Sequence, residues 1–104
     1  MERYKWVIAR DARTDMQSIA YHITHEFHAP GTAKSILSQI RREILSLQTM
    51  PERYALARDE ALARQGYRVT SVGNYLLFYT VDKAGKTVRI MRVLHGSRRW
   101  ENLL

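Results

Sequence analysis

The chain has 104 residues, 45% of them hydrophobic, with 17 Lys and Arg against 10 Asp and Glu for a net charge of +7, and no cysteine. That length suits one domain over residues 1–104, without room for a second core, and the apolar share predicts a folded chain. The lack of cysteine excludes disulfides, thiolate metal sites and a cysteine nucleophile; with no apolar signal segment behind Met1-Glu2-Arg3-Tyr4-Lys5 and no bilayer-length apolar run, a cytoplasmic location is expected.

Tyr4-Lys5-Trp6-Val7-Ile8-Ala9 is rich in β-formers and ends at a polar cluster, so it reads as a first strand. Met16, Ile19, Ala20, Ile23 and Phe27 then fall on one stripe of a helix, with Thr14 or Asp11 upstream as N-caps. Ala29-Pro30-Gly31 interrupts that pattern, and Ala33, Ile36, Leu37, Ile40, Ile44 and Leu47 define a second helix, antiparallel to the first because the connection is short. Periodicity weakens over residues 48–65, and Pro51 breaks any helix there; a helical turn is expected near Asp59-Glu60-Ala61-Leu62.

The run Tyr75-Leu76-Leu77-Phe78-Tyr79-Thr80-Val81 suits a central strand contacted on both faces. Gly73-Asn74 joins it to a weakly alternating strand over residues 67–72 by a two-residue hairpin. After a turn at 82–86, with Gly85 available for a positive φ, residues 87–94 form the last strand. Simple alternation groups Val88, Ile90, Arg92 and Leu94 on one face and Arg89, Met91, Val93 and His95 on the other. The order is that of an α+β fold: one strand, an antiparallel two-helix hairpin packed on one face of a four-stranded sheet, then a three-stranded antiparallel meander and a short C-terminal tail or helical turn.

The basic charge is concentrated in the second half. Residues 1–52 hold seven basic and six acidic side chains, whereas residues 53–104 hold ten and four. Such a surface favours a polyanionic partner, either nucleic acid or an acidic protein. No Gly-rich phosphate loop, Ser/His/Asp neighbourhood or metal-spaced carboxylate cluster is present, and no cofactor is implied. His22, His25 and His28 recur every three residues, a spacing that spreads them around a helix by about 60° per step, so solvent-facing positions rather than a metal site are expected. Arg41 and Arg42 lie off the apolar stripe and read as a solvated face. Arg68, Arg92, His95, Arg98 and Arg99 come from neighbouring segments of a small sheet, with Tyr75, Tyr79 and Trp100 close in sequence. Cationic and aromatic groups mixed this way suit phosphates and unstacked bases, and His95 is able to serve as acid or base; equally, Arg92 pairs with a carboxylate and the tyrosines fill the core.

The words Gly73-Asn74-Tyr75-Leu76-Leu77-Phe78-Tyr79 and Arg92-Val93-Leu94-His95-Gly96-Ser97-Arg98-Arg99-Trp100, in this element order, resemble the RelE/ParE toxin superfamily; Asp15-Met16-Gln17-Ser18-Ile19-Ala20-Tyr21-His22-Ile23 resembles its first helix. The resemblance spans nearly the whole chain and implies the toxin of a type II toxin–antitoxin (plasmid stabilisation) module, neutralised by a small antitoxin. It implies one of two targets: the ribosome, where RelE-like members cleave mRNA, or DNA gyrase, which ParE-like members poison without nuclease activity. RelE-like chains place an arginine after the central-strand tyrosine; here that position is Leu76, which cannot stabilise phosphorane charge, so the words are closer to the ParE-like side. For target or nucleic-acid binding the candidate residues are Arg92, His95, Arg98, Arg99 and Trp100, and for a ribonuclease His95 with Arg68 and Arg92. Met91 and Val93 are expected to contact the antitoxin in an exposed apolar groove beside the helical hairpin, because 104 residues leave the second face of the sheet without a covering layer.

Overall fold

A computed structural model of the chain describes residues 3–97. The first strand, β1 (Lys5–Ile8), runs directly into α1 (Arg10–Glu26), and α2 (Pro30–Ser46) follows after a three-residue connection. Pro30 occupies the first turn of α2, where its missing N–H costs nothing. A single 3-10 turn (Pro51–Arg53) and the short α3 (Glu60–Arg64) lead to β2 (Arg68–Val72), β3 (Tyr75–Asp82) and β4 (Thr87–His95). The strands form one sheet in the order β1-β4-β3-β2. The last three make an antiparallel meander, while β1 pairs parallel to β4 with Lys5 opposite Thr87 and Ile8 opposite Ile90. None of the described helices is long and apolar enough to cross a membrane.

Both helices cover one face of this sheet. Ala12 and Met16 of α1 and Ile40 and Ile44 of α2 pack with Leu77, Tyr79, Val88, Ile90 and Val93 in the main core. The apolar stripe of α1 therefore begins a turn earlier than expected. Ala9 is the N-cap and makes no side-chain cap; Asp11 and Thr14 lie inside the helix, because the amide of Ala9 donates to the carbonyl of Ile90 and the chain turns straight from the sheet into the helix. At the other end the helix stops at Glu26, so Phe27, expected on the stripe, is 67% exposed.

The helical turn expected near residue 60 is α3, N-capped by the Asp59 carboxylate, which accepts from the amide of Leu62 at 3.0 Å. Its Leu62 and the preceding Ala57 pack on Phe78 and Leu94, on the side of the sheet away from α1 and α2. The second face is thus partly covered by the chain's own 54–65 segment, contrary to the expectation of an uncovered layer. The 82–86 turn also differs from expectation: the positive φ is taken by Lys86, while at Gly85 a Cβ would sit 2.6 Å from the Asp82 carboxylate that holds the Gly85 amide, so a side chain there would displace that carboxylate.

A further difference lies in β4. Phe78 pairs with Arg92 but Tyr79 pairs with Ile90, so Met91 is an extra residue in the ladder. This β-bulge inverts the alternation beyond it. Val93, grouped by simple alternation with Met91, instead faces the helices at 1% exposure.

At the centre of the sheet Tyr79 is fully buried and its hydroxyl donates to the carbonyl of Pro51 at 2.7 Å. Burial pushes its hydroxyl up to about 12, against the lowering influence of Arg68 and Arg53. Because the folded value exceeds the ordinary 10.0, the protonated form is favoured by folding; the associated stability is complete below pH 10 and disappears between pH 10 and about 12. Alkaline titration followed by circular dichroism should show a loss of about 2–3 kcal/mol across that window. In Tyr79→Phe the loss should be smaller, from a neutral-pH stability lowered by about 1–3 kcal/mol through the unsatisfied Pro51 carbonyl.

Candidate functional site

Strand β1 ends at Ile8, but β4 continues to His95, so the second half of β4 has an edge that no strand of the described residues covers. The amide of Val93 points to that edge and donates to Oδ2 of Asp15 at 2.9 Å. The same carboxylate accepts from Nε of Arg92 at 2.8 Å and from Nη2 at 2.9 Å. One aspartate on α1 thereby completes the sheet hydrogen bonding and clamps Arg92 through a bidentate pair. Both side chains are nearly out of solvent, at 10% and 14% exposure. Hydrogen bonding to Asp15 holds the guanidinium above its ordinary value against the opposing cost of burial. A fork-on-fork arrangement of this kind fixes geometry as well as charge.

Just beyond this clamp, α1 and the end of the sheet diverge to form an open groove of about 880 Å³. Ile19, Tyr21 and His22 line it from α1, and Tyr75, Val93 and His95 from the sheet. His95 is exposed, sits opposite Tyr75 in the β3–β4 register and meets its ring edge-on at 5.3 Å. Its Nδ1 accepts from the Ser97 amide at 3.1 Å and lies 2.7 Å from the Ser97 hydroxyl. That leaves the neutral ring with its proton on Nε2. Burial raises Tyr75 above its ordinary value.

The residues proposed from sequence do not all meet here. Arg92 and His95 lie on the same strand near the groove, but Arg92 is committed to Asp15. Arg68 pairs across from Tyr79, four positions along β3 from Tyr75 and thus about 13 Å from the His95 end of the sheet. Its guanidinium donates to the carbonyl of Tyr54 at 2.6 Å and pairs with Glu52 at 3.3 Å. Met91, at the bulge, is half-buried, whereas Val93 contributes to the groove from a core position. Arg98, Arg99, Trp100 and the expected C-terminal tail or turn lie outside the described residues. Leu76 is half-buried against the Phe78–Leu94 cluster. On α1, His22 pairs with Glu26 at 3.2 Å and His25 stacks on Tyr21. Arg41 and Arg42 are exposed on α2.

Two participants escaped sequence reading. Asp15 lies in a polar cluster that suggests a helix start, and its burial becomes apparent only when α1 is laid along β4. Tyr21 lies off the apolar stripe and is 66% exposed, so periodicity ranked it as solvent-facing.

Two solved structures are similar to this fold. One, described as a chromosomal ParDE toxin–antitoxin system from P. aeruginosa, aligns over 89% of this chain and 96% of its own, with a TM-score of 0.73 and 20% identity. The other, the toxin–antitoxin complex RelBE2 from Mycobacterium tuberculosis, aligns over 89% of this chain and 98% of its own, with a TM-score of 0.67 and 24% identity. At these identities the likeness is one of fold. No protein with a curated description matches the sequence significantly. Residues 7–100 do match the family described as the ParE toxin of type II toxin–antitoxin system, parDE. Fold and sequence together define a toxin of the RelE/ParE superfamily. Within it, the chain belongs to the ParE toxin family of type II toxin–antitoxin systems.

The clamp and the groove each carry a prediction. Asp15→Ala leaves Arg92 buried without its carboxylate and should lower stability by about 3–5 kcal/mol in urea unfolding; a loss near zero would contradict the clamp. For His95, long-range 15N NMR of the imidazole at neutral pH should show the proton on Nε2, and a dominant Nδ1–H tautomer would contradict the contact with the Ser97 amide.

Proposed function

We propose that this toxin arrests growth in the cytoplasm by poisoning DNA gyrase, without cutting RNA, and that a cognate antitoxin neutralises it. The observation that carries the target reading is the chemistry of the groove. Among the described residues, its lining contains histidines, tyrosines, hydroxyls, apolar groups, the amide of Gln17 and the carboxylate of Asp15 but no Arg or Lys, and Leu76 occupies the position where RelE-like chains carry arginine. A ribonuclease needs cationic donors where negative charge develops on the phosphate. Arg92 and Arg68 are held by Asp15 and Glu52, away from that task. Membership of the ParE toxin family supports the same reading.

An antitoxin partner is supported by the two solved relatives, which are described as toxin–antitoxin assemblies. Met91, Val93 and the groove beside them are the surface we assign to it, because Ile19, Tyr21 and Tyr75 offer apolar area there. His95, with Arg98, Arg99 and Trp100 near it in sequence, is assigned to the target, while Arg92, held by Asp15, positions the strand that carries it. The alternative, an mRNA endonuclease acting at the ribosome, draws on His95 and on the two arginines that follow it at 98 and 99.

Supercoiling assays with purified gyrase separate the two. Excess toxin should inhibit supercoiling and trap a cleaved DNA complex. Toeprints of ribosome-bound mRNA should remain unchanged. Intact gyrase activity together with new A-site cuts, lost in His95→Ala, would establish the alternative instead.

A further inference from the structure

We infer that the bare half of the sheet's second face is a docking surface for the phosphate backbone of duplex DNA. The face is divided. Around Phe78 and Leu94 it is covered by Ala57 and Leu62, but that cover stops short of β1 and the first half of β4. In the parallel pairing, Trp6 and Ile8 stand opposite the buried Val88 and Ile90 and so belong to the helix side. Lys5 and Val7 stand opposite Thr87 and Arg89 and belong to the other side. Thr80 and Asp82 of β3 pair with Arg89 and Thr87 and extend the same two rows.

What this bare half presents is cationic. Lys5 and Arg89 are exposed and lie diagonally across the β1–β4 pair, their backbones about 8 Å apart. Arg3, two residues ahead of Lys5, is exposed as well, so the cations span about 14 Å, the axial length of about four phosphates on one DNA strand. None of them forms an ion pair with a described residue. The carboxylates nearby are occupied: Asp82 accepts from the Gly85 amide, and Glu52 pairs with Arg68 and Lys83.

Composition selects the occupant. A protein partner needs an apolar centre to its interface, and Val7, at 40% exposure, is the one apolar side chain in the two rows. A single nucleic-acid strand calls for aromatic platforms, whereas the aromatic residues of this stretch, Tyr4 and Trp6, alternate to the helix side. Cations spread over an open sheet, with the Thr80 hydroxyl beside Arg89, fit a duplex backbone instead. The choice of DNA over RNA rests on the gyrase reading, since a toxin that traps cleaved DNA on its target works beside a duplex. The surface lies over the Thr87–Arg89 half of β4, away from the groove at its other end.

The test is fluorescence anisotropy of a short, labelled, random-sequence DNA duplex titrated with the full chain at several salt concentrations, in the absence of gyrase. The logarithm of the association constant should fall against the logarithm of salt with a slope of about −3, for three phosphate contacts. Lys5→Gln with Arg89→Gln should weaken binding at least about tenfold and flatten that slope by about two. Arg41→Gln with Arg42→Gln removes the same net charge from the exposed side of α2 and should change affinity by less than about twofold. If the first double variant does not fold, amide NMR shifts on the unaltered chain make the same comparison: added DNA should move Lys5, Val7, Thr87 and Arg89. Equal losses from the two double variants, shifts centred on Ile19, Tyr75 and His95, or no binding at low salt would each overturn the inference. So would tighter binding of a single strand or an RNA duplex, or displacement by poly-glutamate as effective as by unlabelled duplex, the last identifying an acidic protein as the occupant. Because gyrase is absent, failure here leaves the target reading standing, and a failed supercoiling assay leaves DNA binding to be judged on its own.

Discussion

Much of this fold turns on the carboxylate of Asp15. A parallel β1 that covers only the first half of β4 leaves the second half with an open backbone edge, and α1 departs from the sheet just where that edge begins. Asp15, little more than a turn into the helix, supplies the acceptor that a neighbouring strand would have provided to the Val93 amide. Since the same two oxygens also hold Arg92, the aspartate fixes how α1 lies on the sheet and removes a buried cation's need for water. A buried ion pair is weak evidence for net stability. Here its value lies in register and direction: it ties the helix to one position along the strand.

The groove follows from that arrangement. Once Asp15 pins α1 to β4, the helix from Thr14 to His22 and the Tyr75–His95 end of the sheet border an open groove lined by aromatic, imidazole, hydroxyl and apolar groups and by Asp15 itself. The cations that composition alone distributes over the C-terminal half are partly committed inside the fold: Arg92 to Asp15, Arg68 to Glu52 and the Tyr54 carbonyl, and Arg53 to the carbonyls at the end of α2. A net charge of +7 therefore overstates the cationic character of the groove itself. It is better expressed near β1, where arginines and a lysine remain exposed around the bare half of the second sheet face.

Most of the element order was legible because each element follows a local rule. The 3.6-residue spacing of Ala33, Ile40 and Ile44 defines a buried helix face, the Gly73-Asn74 pair closes a two-residue hairpin between Val72 and Tyr75, and Asp59 caps a helical turn three residues before Leu62. The family words around Tyr75 and His95 were legible too, and the sequence match over residues 7–100 agrees with them. The misplacements share one cause, since each depends on a partner distant in the chain. Met91 becomes a bulge only through the slipped register against Tyr79, which then turns Val93 inward, and the second sheet face is partly covered by Ala57 and Leu62 from a segment without periodicity.

From sequence alone came the α+β order, the two apolar helix stripes, the central aromatic strand and the superfamily, because hydrophobic period, turn chemistry and short motifs are written in neighbouring residues. The tertiary structure decided the parallel docking of β1, the burial of Asp15, the separation of Arg68 from His95 and the division of the second sheet face into a covered and a bare half. Those features are set by hydrogen-bond and charge pairing between residues as far apart as Asp15 and Arg92, for which local composition carries no signal.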